Sequence, residues 1–192
     1  MRLSTLKKLF NDTGLRWLWL TLLCLIIDQV TKHWVAGTFE YGETLSVLPF
    51  FNLYYVHNTG AAFSFLADQG GWQRWFFTAI ASVASIVFLV WMAKTPKQQR
   101  LLSIAFALIL SGAVGNLIDR ALFGYVIDFL DFYWGDYHFA AFNIADSVIF
   151  IGAALMIFES FTNKDAAQEA NPEAVDESNN DKQKKKTNKI GS

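Results

Sequence analysis

Two aspartates, Asp128 and Asp146, have the surroundings most suggestive of chemistry in this sequence. Asp128 lies among apolar residues in the stretch VIDF with no basic neighbour, and Asp146 lies a few residues inside the apolar run 142–158. An acid at membrane depth is a functional hypothesis by default. Two carboxyl groups roughly 3 Å apart cannot both ionise cheaply, so one keeps its proton near neutral pH while the other acts as a base. Such a pair has the chemistry with which aspartic proteases activate water against a peptide bond.

Other hydrolytic chemistries have less support. The three histidines lie far apart and no HExxH motif is present, so neither a metal site nor any other cofactor is expected. His57 and His138 are interpreted as polar residues at the membrane interface. A serine–lysine dyad would have to use Lys32 as its base. Lys32 lies one helical turn after Asp28, and an ion pair between them would make the lysine a poor base.

The composition indicates an integral membrane protein that is mainly α-helical. Of the 192 residues, 53% are hydrophobic and only 17% are charged, too few polar groups to cover a soluble globule of this size. A helix needs about 20 apolar residues to cross the hydrocarbon layer. Four stretches meet that requirement and are predicted to be transmembrane helices: 15–36, 72–93, 101–117 and 141–161. Asp28 and Lys32 interrupt the first stretch near its end, so we expect a retained span rather than a cleaved leader.

The distribution of Lys and Arg predicts the orientation of these helices. Basic residues precede the first stretch and separate the second from the third, whereas 37–71 and 121–140 contain no Lys or Arg. Positively charged flanks resist translocation. Both termini are therefore expected in the cytoplasm, and the two connections, whose charged residues are all acidic, on the opposite side.

The connections carry the remaining predicted structure. The region of about 38–66 is rich in aromatic and β-branched residues and predicts short strands of a small extracytoplasmic β-sheet. The second connection has turn glycines and an aromatic band typical of headgroup depth, which predicts a short interfacial strand, loop or helix. Residues 1–162 are predicted to form one membrane domain, and the polar segment 163–192 a disordered cytoplasmic tail.

Polar residues of three predicted helices should lie at the same membrane depth. At 1.5 Å per residue, Asp28 lies about 16 Å into the first helix, just beyond the bilayer midplane. The layer comprises Asp28, Lys32, Asn116, Asp119, Arg120, Asn143 and Asp146. Several of these residues are explained equally well as a buried network that holds the helices together. Asp119 next to Arg120 is interpreted as a charge-compensated support, since a paired carboxylate stays ionised. Asp128 is expected on an exposed loop over the mouth of the bundle, where it holds nothing together.

The chain resembles the bacterial lipoprotein signal peptidases, the signal peptidase II family. The resemblance is carried by five motifs in order: DQVTK at 28–32, HNTGAAFSF from His57, GNLIDR from Gly115, VIDF around Asp128 and FNIADS from Phe142. Each motif alone is weak, but five in this order across four spans are specific. The matching part covers roughly residues 15–161.

The resemblance implies a membrane aspartic endopeptidase that removes the signal peptide from diacylglyceryl-modified prolipoproteins, cutting just before the lipidated cysteine. It implies that Asp128 and Asp146 are the catalytic pair. Further positions match supporting or substrate-binding residues of the family: Asp28, Lys32, Asn58, Gly60, Asn116, Asp119, Arg120, Asn143 and Ala145. The predicted sheet would be the cradle for the substrate. For Asn58, a role as a loop cap and a role as a substrate-binding amide are equally open.

The implied setting is the bacterial cytoplasmic (inner) membrane, with the active site near its outer face. The partners are lipid-modified prolipoproteins and membrane lipid, without nucleic acid, and the absence of dimer motifs predicts a monomer. One alternative is a small proton-coupled carrier that uses the same carboxylates as a relay. The nearly apolar second span and the lack of inverted repeats argue against a path through the membrane. A non-catalytic scaffold, a further alternative, would tolerate the loss of Asp128.

Overall fold

The computed structural model describes residues 3–60 and 71–170 of the chain. Within them, four helical segments are long and apolar enough to cross a membrane: Gly14–Thr38, Trp72–Lys94, Arg100–Leu122 and Ile144–Thr162. The predicted number of spanning helices is confirmed. The third helix continues beyond the predicted end at Leu117, so Asp119 and Arg120 belong to its last turns.

The described elements follow one another as helices, a hairpin, helices and a second hairpin. They are α1 (Leu3–Asp12), a 3-10 turn (Gly14–Trp17), α2 (Leu18–Thr38), β1 (Thr44–Leu48), β2 (Phe51–Asn58), α3 (Trp72–Lys94), α4 (Arg100–Leu122), β3 (Val126–Trp134), β4 (Tyr137–His138) and α5 (Ile144–Ala170). The chain divides into two compact units, Met1–Leu155 and Met156–Ser192, and all the residues discussed as a site lie in the first.

The predicted tail and the predicted sheet region are only partly described. The disordered tail is predicted from residue 163, and α5 is described as helix to Ala170. The boundary between membrane domain and tail stays a prediction. Residues 171–192 lie outside the described part, and disorder there stays a prediction. Of the predicted sheet region, 61–66 also lies outside it.

Helix α4 is the central helix of the bundle. In its most apolar stretch of 18 residues, 67% of the residues are buried, compared with 6–17% for the other spanning segments. It packs against α2 and α3. Small residues permit a close approach to α5 and α2, because a Cβ at Gly112 would meet the backbone carbonyl of Ala145, and one at Gly115 would lie 2.5 Å from Asp28 Oδ2. Small residues at helix interfaces are the usual means of close packing in membranes.

A four-stranded antiparallel sheet, in the order β1-β2-β3-β4, lies at the end of the bundle where α4 stops. Gly124, with φ 87°, provides the left-handed conformation that turns the chain from α4 into β3. Val35 of α2 and Tyr55, Ile127 and Phe129 of the sheet share a buried apolar cluster that fastens the sheet to the bundle. For the second connection, the structure decides in favour of strands over a short helix.

Candidate active site

Lys32 is the centre of a buried ionic cluster between α2 and α4. Its Nζ lies 3.0 Å from Asp28 Oδ2 and 2.9 Å from Asp119 Oδ2, and it donates to Asn116 Oδ1 at 3.0 Å. All three charged side chains are at most 1% exposed. The expected pairing of Asp28 with Lys32 is therefore present. The expected pairing of Asp119 with Arg120 is wrong, because helix packing gives Asp119 to Lys32 instead.

Each carboxylate of this cluster also accepts hydrogen bonds from backbone amides of other elements. Asp28 Oδ1 accepts from the Ala145 N–H at 2.8 Å, which ties α2 to the first turn of α5. Asp119 Oδ2 accepts from the Ile127 N–H at 3.3 Å, which ties α4 to β3. The cluster consequently fixes the two elements that carry Asp128 and Asp146.

Gln29 is a member of the cluster that sequence reasoning missed. Its Nε2 donates to Asp28 Oδ2 at 3.2 Å, to the Gly115 carbonyl at 3.3 Å and to Asp119 Oδ1 at 3.0 Å. The available signal was a second polar residue directly after Asp28 in an otherwise apolar span. Such a residue needs buried partners.

Asp128 lies on strand β3, not on an exposed loop as expected, and is only 1% exposed. Its Oδ2 accepts from Asn58 Nδ2 at 2.9 Å and its Oδ1 from Asn143 Nδ2 at 2.6 Å. The strand places it directly opposite Val56 of β2. Its buried carboxyl group is thus held by two amides and does connect β2, β3 and the start of α5.

Asp146 is positioned by the N-terminal cap of α5. Asn143 Oδ1 accepts from the Asp146 N–H at 3.0 Å. This is the usual N-cap hydrogen bond, in which the capping side chain accepts from the backbone N–H three residues later. Asp146 Oδ1 accepts from Asn116 Nδ2 at 2.8 Å. Asn143 Nδ2 in turn donates to Asn116 Oδ1 at 3.3 Å as well as to Asp128. Asn116 and Asn143 therefore bridge the two aspartates.

The electrostatic environment of Asp128 favours its protonated form. Burial, and then the charge of Asp146, raise the pKa of Asp128 to about 7, although the hydrogen bonds from Asn58 and Asn143 oppose the shift. Among the described residues, Lys32 forms salt bridges with Asp28 and Asp119 but with neither Asp128 nor Asp146. Asp128 can therefore hold a proton near neutral pH.

Arg120 and Gly60 connect this network to the end of β2. One terminal amino group of Arg120 donates to the Gly60 carbonyl at 3.0 Å, and the Gly60 N–H donates to Asn58 Oδ1 at 3.0 Å. Asn58 is therefore both a cap of the turn after β2 and a donor to Asp128. In the described part of the chain, the buried Nε of Arg120 has no hydrogen-bond partner.

Two adjacent cavities reach the aspartates. The first, here the bundle cavity, has a volume of about 660 Å³ and is lined by Asn116, Arg120, Asp146, Phe150 and Ile151, among others. The second, here the sheet cavity, has about 390 Å³ and is lined by Tyr41, His57 and Asp128, among others. Asn58 and residues 139–141 line both. Asp146 thus opens onto one cavity and Asp128 onto the next, with a shared wall between them.

The described residues offer no evident metal centre. Within 3–60 and 71–170, no group of three or more His, Cys, Asp or Glu side chains is arranged to hold a metal ion. All the residues predicted for the site are, by contrast, joined in one network of hydrogen bonds and ion pairs that includes Gly60 and Ala145.

Comparisons with known proteins match almost the whole described fold. The sequence profile described as signal peptidase (SPase) II matches residues 20–162, which contain every residue of the site. The chain belongs to the signal peptidase II family. The lipoprotein signal peptidase of Alteromonas mediterranea is 58% identical over 164 residues, 85% of this chain and 90% of that protein. The one from Shewanella sediminis is 53% identical over 162 residues, 84% of this chain and 92% of that protein.

A solved structure shares the fold of this member of the signal peptidase II family. A bacterial membrane enzyme determined by the in meso method at 2.3 Å resolution is 34% identical, with a TM-score of 0.68. The match covers 75% of this chain and 86% of the solved chain. The protein is therefore a bacterial membrane protein with the fold of a known membrane enzyme.

Proposed function

We propose that this member of the signal peptidase II family hydrolyses its substrate with Asp128 and Asp146 as the catalytic pair. The reaction is the removal of the signal peptide from a prolipoprotein, just before the lipidated cysteine. The assignment rests on the different partners of the four buried acids. Asp28 and Asp119 both form salt bridges with Lys32. Asp128 and Asp146 form no salt bridge within the described residues. Asn116 and Asn143 bridge Asp128 and Asp146, which line two adjoining cavities.

The first chemical step is the attack of water on the scissile carbonyl. The ionised carboxylate of the pair removes a proton from the water as its oxygen bonds to the carbonyl carbon, and the protonated carboxyl group donates a hydrogen bond to the carbonyl oxygen. Asn116 and Asn143 orient the two carboxyl groups, since each amide donates to one of them.

The second step is the collapse of the tetrahedral intermediate. The bond between the carbonyl carbon and the nitrogen of the lipidated cysteine breaks, and the nitrogen takes a proton from the pair. The new carboxylate ends the signal peptide, and the cysteine amine begins the mature lipoprotein. The pair returns to one proton shared between two carboxyl groups, which is ready for another water molecule.

The bundle cavity suits the apolar end of such a substrate. Phe150 and Ile151 of α5 line it beside Asp146, and Phe150 is largely exposed on the surface of the helix. A signal helix with its diacylglyceryl group would enter sideways from the bilayer, which keeps the acyl chains in hydrocarbon while the scissile bond reaches the polar layer. Dependence on the lipid follows from this path, because a soluble peptide lacks the apolar surface that favours entry.

The positions of the basic residues support the proposed membrane topology. With both termini in the cytoplasm, the sheet and the aspartates lie near the outer face of the cytoplasmic membrane, where signal peptides emerge. The proposal includes a monomeric enzyme, because the sequence carries no recognisable dimer motif.

The deciding experiment compares turnover of two precursor peptides that differ only in the diacylglyceryl group on the cysteine. Purified protein in lipid should cleave the lipidated peptide before the cysteine and leave the unmodified one intact. Asp136→Asn, a change at an exposed position of the second hairpin, is the matched control and should keep full activity. Equal cleavage of both peptides would contradict the proposed dependence on lipid.

A further inference from the structure

Asp131 is a buried acid for which the proposed reaction has no use. It is 3% exposed, lies three residues after Asp128 on β3, and accepts from Asn52 Nδ2 at 2.9 Å. Its Oδ2 also lies 2.9 Å from His138 Nδ1. A buried carboxylate is costly unless hydrogen bonds compensate it, so Asp131 depends on its contacts with Asn52 and His138.

The arrangement holds the imidazole of His138 in a fixed orientation and tautomer. The ring stacks on Tyr133, with centroids 5.1 Å apart and planes 15° apart. A carboxylate only accepts hydrogen bonds, so Nδ1 of a neutral His138 carries the proton and Nε2 is left as an acceptor. The side chain is 54% exposed, which leaves that acceptor accessible. Asp131 and Tyr133 thus present one hydrogen-bond acceptor of defined direction.

His138 and Asp131 line a third cavity that adjoins the first two. This edge cavity has a volume of about 490 Å³ and is lined also by Gly42, Thr44 and Tyr54. Tyr54, Phe139 and Ala141 line both the edge cavity and the sheet cavity. The three cavities therefore follow one another from Phe150 of α5, past the two aspartates, to His138 at the edge of the sheet.

The character of the walls gives this path a direction. The bundle cavity, with Phe150 and Ile151, suits the apolar signal helix. The edge cavity, whose walls include Asp131 and His138, therefore lies on the side of the mature lipoprotein. Asp131 is separated from Asp128 by about 10 Å along the strand, and an extended substrate rises at the same 3.3 Å per residue. The edge cavity is thus about three residues beyond the scissile bond.

We propose that the edge cavity is a binding site for the first residues of the mature lipoprotein, in which His138 Nε2 accepts a hydrogen bond from the substrate. The ligand class is an extended peptide segment that offers a backbone N–H or a hydroxyl group about three residues after the cut. His138 contacts the substrate, whereas Asp131 and Tyr133 are positioning residues. The inference rests on the proposed function and adds to it a preference for particular residues after the cysteine.

The experiment compares two lipidated precursor peptides, one ending directly after the cysteine and one continuing for several residues. Wild-type protein should show the lower KM for the longer peptide. His138→Phe retains a ring to stack on Tyr133 but removes the acceptor, so it should raise KM for the longer peptide roughly two- to tenfold, the worth of one hydrogen bond, with kcat unchanged. The short peptide, which does not reach the edge cavity, should be cut by this variant as by wild type.

Asp136→Asn, on the same hairpin, is the control and should behave as wild type with both peptides. A loss of the same size on both peptides would assign His138 a purely structural role and overturn the proposal, as would no loss on either. Turnover of the short peptide by wild type measures the proposed function by itself, so failure of the edge cavity and failure of the catalytic pair are distinguishable.

A second arm uses wild-type protein only and decides the matter should His138→Phe fail to fold. N-methylation of the longer peptide, one residue at a time after the cysteine, removes one backbone donor in each case. KM should rise at a position about three residues beyond the cut and not at its neighbours. A hydroxyl donor is tested in parallel by replacing Ser with Ala in the same segment. Indifference to both series would overturn the proposal.

Discussion

Two groups of acids lie at the same end of this bundle and differ in what surrounds them. Asp28 and Asp119 flank Lys32 at 3.0 and 2.9 Å and accept backbone N–H groups from α5 and β3. Asp128 and Asp146 receive hydrogen bonds from side-chain amides of Asn58, Asn143 and Asn116 and have no salt bridge in the described part of the chain. The first group forms salt bridges with a cation, and the second is held by neutral amides.

The difference shows how one buried polar layer can serve both stability and catalysis. A carboxylate beside a cation stays ionised and stabilises the fold as long as its partner remains. A neutral amide orients a carboxyl group without fixing its protonation state, so a proton can move on and off. A salt bridge with Lys32 thus distinguishes the structural acids from the reactive acids.

The largest expected effect is on activity when either reactive acid is neutralised. Asp128→Asn and Asp146→Asn should each lower kcat about a thousandfold or more, because one member of the pair can no longer exchange a proton. Each variant should remain folded, since asparagine retains the shape and can still hydrogen-bond. The measurements are cleavage of a lipidated precursor and thermal unfolding in the same detergent. Substantial turnover by either variant would remove that residue from the catalytic pair.

Substitutions in the ionic cluster should have the opposite effect and mainly lower the stability of the fold. Lys32→Met leaves Asp28 and Asp119 buried without their cation, and breaking such a pair typically costs about 3–5 kcal/mol. Adding Asp28→Asn and Asp119→Asn to the same protein should recover part of the loss, because no uncompensated charge is left. Thermal unfolding of the single and triple variants measures this. A triple variant less stable than Lys32→Met alone would contradict the assigned role of the cluster.

Packing between α4 and α5 should matter to both groups, though less. A Cβ at Gly112 would meet the carbonyl oxygen of Ala145 and lie 2.5 Å from the Ile149 side chain, so Gly112→Ala must displace the first turn of α5. Overpacking of this kind costs about 1–3 kcal/mol and would also shift Asp146. Gly37→Ala, where nothing lies within 4 Å, is the matched control and should be neutral. Unfolding temperatures and kcat of the two variants would show whether the contact is as tight as the structure indicates.

The sequence was sufficient to predict the four spanning helices, the small sheet and the members of the polar layer other than Gln29. Hydrophobic length and basic flanks act locally, so they can be read from the chain without knowledge of its packing. Helical rise then brings Asp28, Asn116 and Asn143 to a similar depth, whatever the details of the bundle.

The partners of these residues were less predictable, because they depend on how distant elements pack. Asp119 has Arg120 as its neighbour in sequence, but α4 turns it towards Lys32 of α2. Asp128 was expected on an exposed loop because its flanks in VIDF suit several conformations. Only the pairing of β3 with β2, and the approach of Asn143, bury it and supply its donors.

The pH dependence of activity should separate the two groups further. With the pKa of Asp128 raised to about 7, the proton that the pair needs is present below that pH and lost above it. The value of kcat/KM should therefore fall about tenfold per pH unit above roughly pH 7. Cleavage of a lipidated precursor measured from pH 5 to 9 tests this, and a rate still constant at pH 9 would contradict it.

The stability of the fold should also depend on pH through the same proton, though the effect is smaller. The folded pKa of Asp128, about 7, exceeds the value of about 3.9 for an unfolded aspartate, so the folded state binds the proton more tightly. The contribution of this proton to stability is complete below about pH 4 and is lost as the pH rises towards 7, by at most about 1.4 kcal/mol per pH unit. Asp128→Asn has no such titration. As the pH rises from 5 to 8, the difference in unfolding temperature between this variant and wild type should therefore shift in favour of the variant. Parallel curves for the two proteins over this range would mean that Asp128 is already ionised in the folded state, and the contrast with Asp119 would then rest on geometry alone.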